Sequence, residues 1–229
     1  VTGIHVSTSK NLKIGDWIGI PKYNIEGNIQ DINLLTTKIV NFDKTISTIP
    51  TYDLLSTEIR NHQVMYEGSS RRIKRSIYFN IKSFKFVDDE FYEKVKDINL
   101  ISEYLDRKLR EIAESKKNIP HAERIINGQQ LTNIGLFRNY VLNYLKNNPK
   151  VDQDEIVLVR QLEISPQGMP LEIYCFANKA ELVDYERIQA DIFDHILTAA
   201  QEFDLEIMQI NKDGSTAVYA EVDSANAQL

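Results

Sequence analysis

The sequence predicts an α+β fold, a small β-barrel or β-domain followed by an α/β domain of βαββαβ order with a helical insertion. Three observations predict it. Short runs rich in β-branched residues, punctuated by Gly, Pro and Asn, fill residues 13 to 60. A stretch follows in which Ile73, Ile77, Phe79 and Ile81 alternate with Lys74, Ser76, Tyr78 and Asn80. Beyond it, apolar residues recur at intervals of three and four, the period of helices with one covered face.

The first strands are read at Trp17, Ile18 and Ile20 ahead of Pro21, at Ile25, Ile29 and Ile32 around Gly27, and at Thr36 to Val40 before Asn41. Gly15, Pro21, Gly27 and Asn41-Phe42-Asp43-Lys44 supply the turns, and Pro50 ends the last barrel strand because it has no N–H to donate to a ladder. Gly15 and Gly27 also mark points where backbone bends or approaches a neighbouring strand. Strands this short, so closely spaced, suit a small and strongly bent barrel or half-barrel. Glu67-Gly68-Ser69-Ser70 reads as a hinge between two domains.

In the second domain Phe91, Val95, Ile98, Leu105, Leu109 and Ile112 form one helical stripe, with Asp88, Asp89 and Glu90 at its start and Arg107, Lys108 and Arg110 near its end, as the helix dipole favours. A further helix fits Ile134 to Leu145, capped by Thr132 or Asn133 and stopped by Asn147-Asn148-Pro149. Strands at 156–159 and 171–176 flank a turn at Ser165-Pro166-Gln167-Gly168. A helix through Ile188, Ile192, Ile196 and Phe203, then a short strand at Leu205, Ile207 and Ile210, complete a split βαβ, ferredoxin-like order with one inserted helix.

Composition narrows the function. Across 229 residues the net charge is −6, a balance that lacks the concentrated Lys and Arg needed for general nucleic-acid binding, so no nucleic-acid partner is expected. The single Cys175 lies in an apolar run and reads as a buried, inert thiol. No phosphate-cradling glycine motif or nucleophile elbow is present, and His5, His62, His121 and His195 are too scattered for a metal site, so neither enzyme chemistry nor a cofactor or metal is expected. Trp17, a lone aromatic beside Asp16, reads as a packing residue rather than a stacking platform. Arg71, Arg72, Lys74 and Arg75 form the strongest local charge signal. It fits either a solvated strand face or a rim that attracts anions or lipid headgroups, acting over about 8 Å at physiological salt. No apolar run reaches the roughly 20 residues that cross a bilayer. The chain opens on Val1, however, and the expectation is a fragment of a longer protein.

Five motifs stand in fixed order: Gly15-Asp16-Trp17-Ile18, Pro21-Lys22-Tyr23, Asn41-Phe42-Asp43-Lys44-Thr45, Ile49-Pro50-Thr51-Tyr52 and Arg71-Arg72-Ile73-Lys74-Arg75-Ser76. Together they resemble the cytosolic half of the small mechanosensitive channel (MscS-like) family, nearest its YbdG-like miniconductance branch. Thr51 stands where many members have Asn.

The resemblance implies the end of a pore-lining helix and a linker at 1–11, an Sm-like β-domain at 12–66, and a ferredoxin-like domain at 67–210 with its insertion at 113–150. The tail at 211–229 fits either disorder, as chain ends commonly show, or a strand that pairs only with neighbouring subunits. The resemblance also implies upstream helices in the cell's inner membrane, a homoheptamer enclosing a hollow cage on the cytoplasmic side, and ions and small solutes passing during hypo-osmotic shock. Lys13, Gly15, Asp16, Trp17, Gly27, Ile49 and Pro50 match the family pattern, and the resemblance implies that they couple pore-helix movement to the ring. Competing readings are a module that binds RNA or a small ligand, and an osmotic sensor that tunes gating.

Overall fold

The structure, a computed structural model, describes residues 12–209. The expected pore-helix end at 1–11 and inter-subunit strand at 211–229 lie outside the described residues. The chain divides into two compact units, one comprising residues up to Arg71 together with Lys179–Asp184, the other comprising the rest.

The first unit is a five-stranded antiparallel sheet. Strands β1 (Trp17–Ile20), β2 (Ile25–Ile32), β3 (Thr36–Asn41) and β4 (Ile46–Pro50) form a meander, and β5 (Arg60–Asn61) returns to pair with β1, giving the order β4-β3-β2-β1-β5. Alternation places Ile18, Ile20, Ile29, Ile39 and Ile49 on one buried face, with Ile29 and Ile39 directly opposite each other across β2 and β3. A register shift between Ile29 and Asp31 bulges β2 and increases its bend.

Among the described residues no closed barrel forms. β4 and β5 are both sheet edges, and the two-residue β5 is too short to seal the gap. Leu12 and Leu54 instead complete the core from outside the sheet, Leu54 from the one-turn helix α1 (Asp53–Ser56). Pro50 does end β4, as its missing N–H requires, but it is not the end of the sheet. Gly27 lies within β2 rather than at a turn. A second one-turn helix, α2 (Gln63–Glu67), precedes residues 68–70 and β6 (Arg71–Phe79).

The second unit covers one face of a three-stranded sheet, ordered β6-β8-β7, with helices. Strand β7 is Leu158–Gln161, two residues later than the apolar run at 156–159 suggests, and β8 is Met169–Ala177. They are joined through a tight turn in which Ser165 and Gly168 exchange both backbone hydrogen bonds. The stripe from Phe91 to Ile112 is two helices, α3 (Asp89–Val95) and α4 (Asn99–Lys116), not one. Extended backbone at Ile98, between the weak helix formers Asp97 and Asn99, separates them.

Helix α5 (Asn133–Lys146) is capped by the Thr132 hydroxyl, which accepts the Gly135 N–H at 3.2 Å. Although outside the βαββαβ count, it packs Leu136, Phe137, Val141 and Leu145 into the same core as β6 and β8. Helix α6 (Leu182–Ala199) follows β8. The expected terminal strand is reduced, among the described residues, to one antiparallel bridge from Ile207 to Phe79. That bridge puts the segment beside β6, the side a final βαββαβ strand occupies. Among the described residues no helix is long and apolar enough to cross a membrane.

β8 is the central strand and is nearly all buried. On its helix-covered side lies Cys175, fully buried, with burial pushing its thiol pKa up to about 12. The thiolate, the reactive species, is therefore scarce at neutral pH. In the folded protein Cys175 will not react with Ellman's reagent at about pH 8, whereas unfolding in guanidinium will release one titratable thiol. Fast reaction in the native state would show that the strand opens readily.

Candidate functional site

The most elaborated corner of the first unit lies where the chain enters β1. Gly15 adopts φ +96°, a left-handed conformation that other residues adopt only with strain, and its N–H donates to the Ile29 carbonyl at 2.8 Å. Asp16 then folds back on the turn. Its carboxylate oxygen Oδ2 accepts the Lys13 backbone N–H at 3.0 Å and the Asn61 side-chain amide at 3.2 Å. The carboxylate is buried at 8% exposure, so those donors replace water around it. Lys13 itself is exposed. One side chain thus joins the leader, β1 and β5.

Trp17 comes next and is gripped on several sides. Its indole N–H donates to Glu26 Oε1 at 3.2 Å, the Phe42 ring meets it edge-on at 5.4 Å, and the His62 ring lies tilted at 4.9 Å. The Arg71 guanidinium sits 5.7 Å from the ring centroid, in cation–π range. Gly15, Trp17 and Arg71 all border one cavity of about 500 Å³, with Phe42, Tyr66 and Glu26 among its other walls and every lining residue within the first unit.

Gly27 faces β3 so closely that an added Cβ would lie 2.1 Å from the Val40 carbonyl oxygen and 2.7 Å from Asn41 Cα. Only a residue without a side chain permits this approach. Ile49 and Pro50 lie away from this corner, on the β4 edge. There Ile49 is buried, while Thr51, wholly buried, carries the local polar chemistry. Its hydroxyl donates to the Asn33 carbonyl at 2.9 Å and accepts from the Thr37 hydroxyl at 2.9 Å, and its N–H donates to the Leu35 carbonyl at 2.9 Å.

The basic cluster does not act as one patch. Strand pleating sends Arg72 and Lys74 to one face of β6 and Arg75 to the other. In the second unit Arg72 lies 5.9 Å from the Tyr174 ring, Arg75 lies 5.3 Å from the Phe193 ring, and Lys74 is 3.9 Å from Glu172. Glu172 is in turn held at 2.8 and 2.7 Å by Arg160, its cross-strand neighbour. Among the described residues no group of three or more His, Cys, Asp or Glu side chains is placed to hold a metal ion.

Phe42 and Glu26 fall within the turn and strand motifs of the sequence, but nothing there gives them, Tyr66 or Asn61 a site role. Phe42 alone carried a signal, a large aromatic in an otherwise polar turn, and it is 57% exposed. The other three reach Trp17 or its surroundings through sheet pairing and a helix turn, which no local pattern announces.

A family model described as "Mechanosensitive ion channel, beta-domain" matches residues 1–64, and one described as "Mechanosensitive ion channel MscS, C-terminal" matches residues 122–207. The chain belongs to the MscS-like mechanosensitive channel family. The low conductance mechanosensitive channel YnaI of Escherichia coli (strain K12) is 24% identical over 200 residues, covering 87% of this chain and 44% of YnaI. An uncharacterized MscS family protein of Aquifex aeolicus (strain VF5) is 31% identical over 81 residues, or 35% of this chain and 20% of that protein. The chain therefore spans less than half the length of these curated relatives.

Among solved structures, Arabidopsis thaliana MSL1 superposes with a TM-score of 0.57 at 15% identity, covering 90% of this chain and 56% of MSL1. Helicobacter pylori MscS in its closed state gives 0.53 at 16% identity, covering 96% and 64%. These likenesses extend to the fold, an α+β chain with an open β-sheet in place of a barrel. The relatives support the MscS-like family as a whole, not the YbdG-like branch to which the motifs point.

Substitutions at Gly27 and Thr51, each with a control, test the construction of this MscS-like β-domain. Gly27→Ala forces a methyl into fixed backbone and should cost at least about 3 kcal/mol in urea unfolding. Gly19→Ala, whose Cβ would come closest to the movable His62 ring, at 3.1 Å, should cost less. Thr51→Val strands the Thr37 hydroxyl and should cost about 1–3 kcal/mol, while adding Thr37→Val should recover part of the loss, a coupling readable in a double-mutant cycle.

Proposed function

We propose that this chain is the cytosolic vestibule of a channel that opens under membrane tension and releases solutes in hypo-osmotic shock. The observation that supports this reading most directly is the order of the two family matches, a β-domain at 1–64 and a C-terminal domain at 122–207, on one chain. The likeness to YnaI, a low conductance mechanosensitive channel, over 87% of the chain agrees with it. In this reading the full-length protein is a homoheptamer in the inner membrane, held there by helices upstream of Val1, and ions and small solutes cross the cage. Its work is a shift between closed and open states, driven by their different interaction with a stretched bilayer.

The turn at Lys13 to Trp17 is then the coupling element. A pull on the chain ahead of Leu12 loads the Lys13–Asp16 and Gly15–Ile29 hydrogen bonds first, and through Asn61 it loads β5. Gly27, Ile49 and Pro50 keep the sheet stiff enough to pass that load on. Arg71, Arg72, Lys74 and Arg75, dispersed over the two faces of β6, would meet passing anions singly rather than as a common rim.

Patch recording of the full-length parent protein in membranes devoid of other mechanosensitive channels tests the reading. Current that rises steeply with suction is expected, and Asp16→Ala should move the threshold. Absence of any suction-activated current overturns the vestibule reading, while an unchanged threshold in Asp16→Ala removes the coupling role alone.

A further inference from the structure

The cavity beside Trp17 has features that passive force transmission does not require. It measures about 500 Å³, within the range of small-molecule sites, and lies wholly within the first unit. Three aromatic side chains from separate segments border it: Trp17 of β1, Phe42 of the β3–β4 turn and Tyr66 of α2. Phe42 and Tyr66 remain 57% and 49% exposed, an expensive way to leave aromatic surface in a unit with a small core.

The charge around the cavity specifies the guest. Two carboxylates, Glu26 and Glu181, and one guanidinium, Arg71, leave a formal surplus of one negative charge on its wall. Glu26 accepts the indole N–H of Trp17, which enriches the negative potential on the ring face. The Arg71 guanidinium lies 5.7 Å from the centroid of that ring, so one cation already uses this face. Aromatic walls select further among cations. A bare alkali ion retains its hydration shell against them, whereas an alkylated ammonium sheds water cheaply and spreads its charge over methyl groups that pack on rings.

We propose that this cavity binds a small alkylated ammonium compound, seated on Trp17, Phe42 and Tyr66 with Glu26 and Glu181 balancing its charge. The compound's source is either a free solute or the choline headgroup of a lipid. Binding joins the β1 corner to α2 and the 180–182 segment, and so stiffens the first unit. The site is independent of the channel reading, since it rests on the cavity alone.

Trp17 is the only tryptophan in the chain, which makes its fluorescence a direct reporter. The 229-residue chain is titrated with choline chloride and with tetramethylammonium chloride, against sodium chloride at equal ionic strength, and separately with phosphatidylcholine vesicles. A saturable change in Trp17 emission with the ammonium salts, absent with sodium, is expected. Tyr66→Ala and Glu26→Gln, checked for native circular dichroism, should each weaken half-saturation about tenfold. Response to the soluble salts without vesicles assigns a free solute, and response to vesicles as well assigns a headgroup. A response equal to that of sodium, or a curve unchanged in both variants, overturns the proposal.

Discussion

The first unit depends on one buried carboxylate. Asp16 takes donors from Lys13 and Asn61, residues far apart in sequence, and does so where water is excluded. Its backbone joins in, since the Ile29 N–H donates to the Asp16 carbonyl at 3.0 Å. Leader, β1, β2 and β5 therefore converge on a single residue. Removing the side chain would leave the Lys13 N–H and the Asn61 amide without this acceptor, and such a loss costs about 1–3 kcal/mol where water cannot substitute. A sheet with two edges has no closure to hold its strands in register, so this pin, with the Leu12 and Leu54 plugs, does what a barrel seam would do.

The second unit uses the same device with a neutral side chain. Asn133 is fully buried and satisfies its whole amide: Oδ1 accepts from the Lys85 and Ile134 N–H groups at 3.0 and 2.9 Å, and Nδ2 donates to the Ser83 and Phe203 carbonyls at 2.9 and 3.1 Å. That network pins the start of α5 to the segment after β6 and to the turn after α6. Phe137, one turn further along α5, then meets Phe79 and Phe203 edge-on at 5.6 and 5.3 Å. Apolar packing supplies most of the stability here, and the amide selects which packing is reached.

Much of this was legible in the sequence, for physical reasons. Alternation and β-branching marked β1 to β4 because each strand buries one face, and the apolar run around Cys175 marked β8 because that strand buries nearly everything. What escaped depends on relations that local pattern does not encode. The two-residue β5 has no period to read, and its pairing with β1 follows from where α1 and α2 leave the chain. The break at Ile98 was hidden because apolar spacing runs on across it. Whether a five-stranded sheet closes depends on edge lengths and on what fills its mouth, and Leu12 and Leu54 announce neither role.

The basic run at 71–75 is the clearest case of sequence proximity failing to become spatial proximity. A strand turns each successive side chain through half a circle, so consecutive charges are dispersed rather than pooled. Glu172, clamped by Arg160 and approached by Lys74, withdraws one of them from any common field. The converse holds at Trp17. Glu26, Phe42, Tyr66 and Arg71 come from four separate stretches, and the fold gathers them around one ring or one cavity. A search for function guided by charge density would look along β6. The geometry directs it instead to the β1 corner, where the turn pinned by Asp16 and the aromatic-walled cavity share Gly15 and Trp17, so anything seated in the cavity also touches the turn.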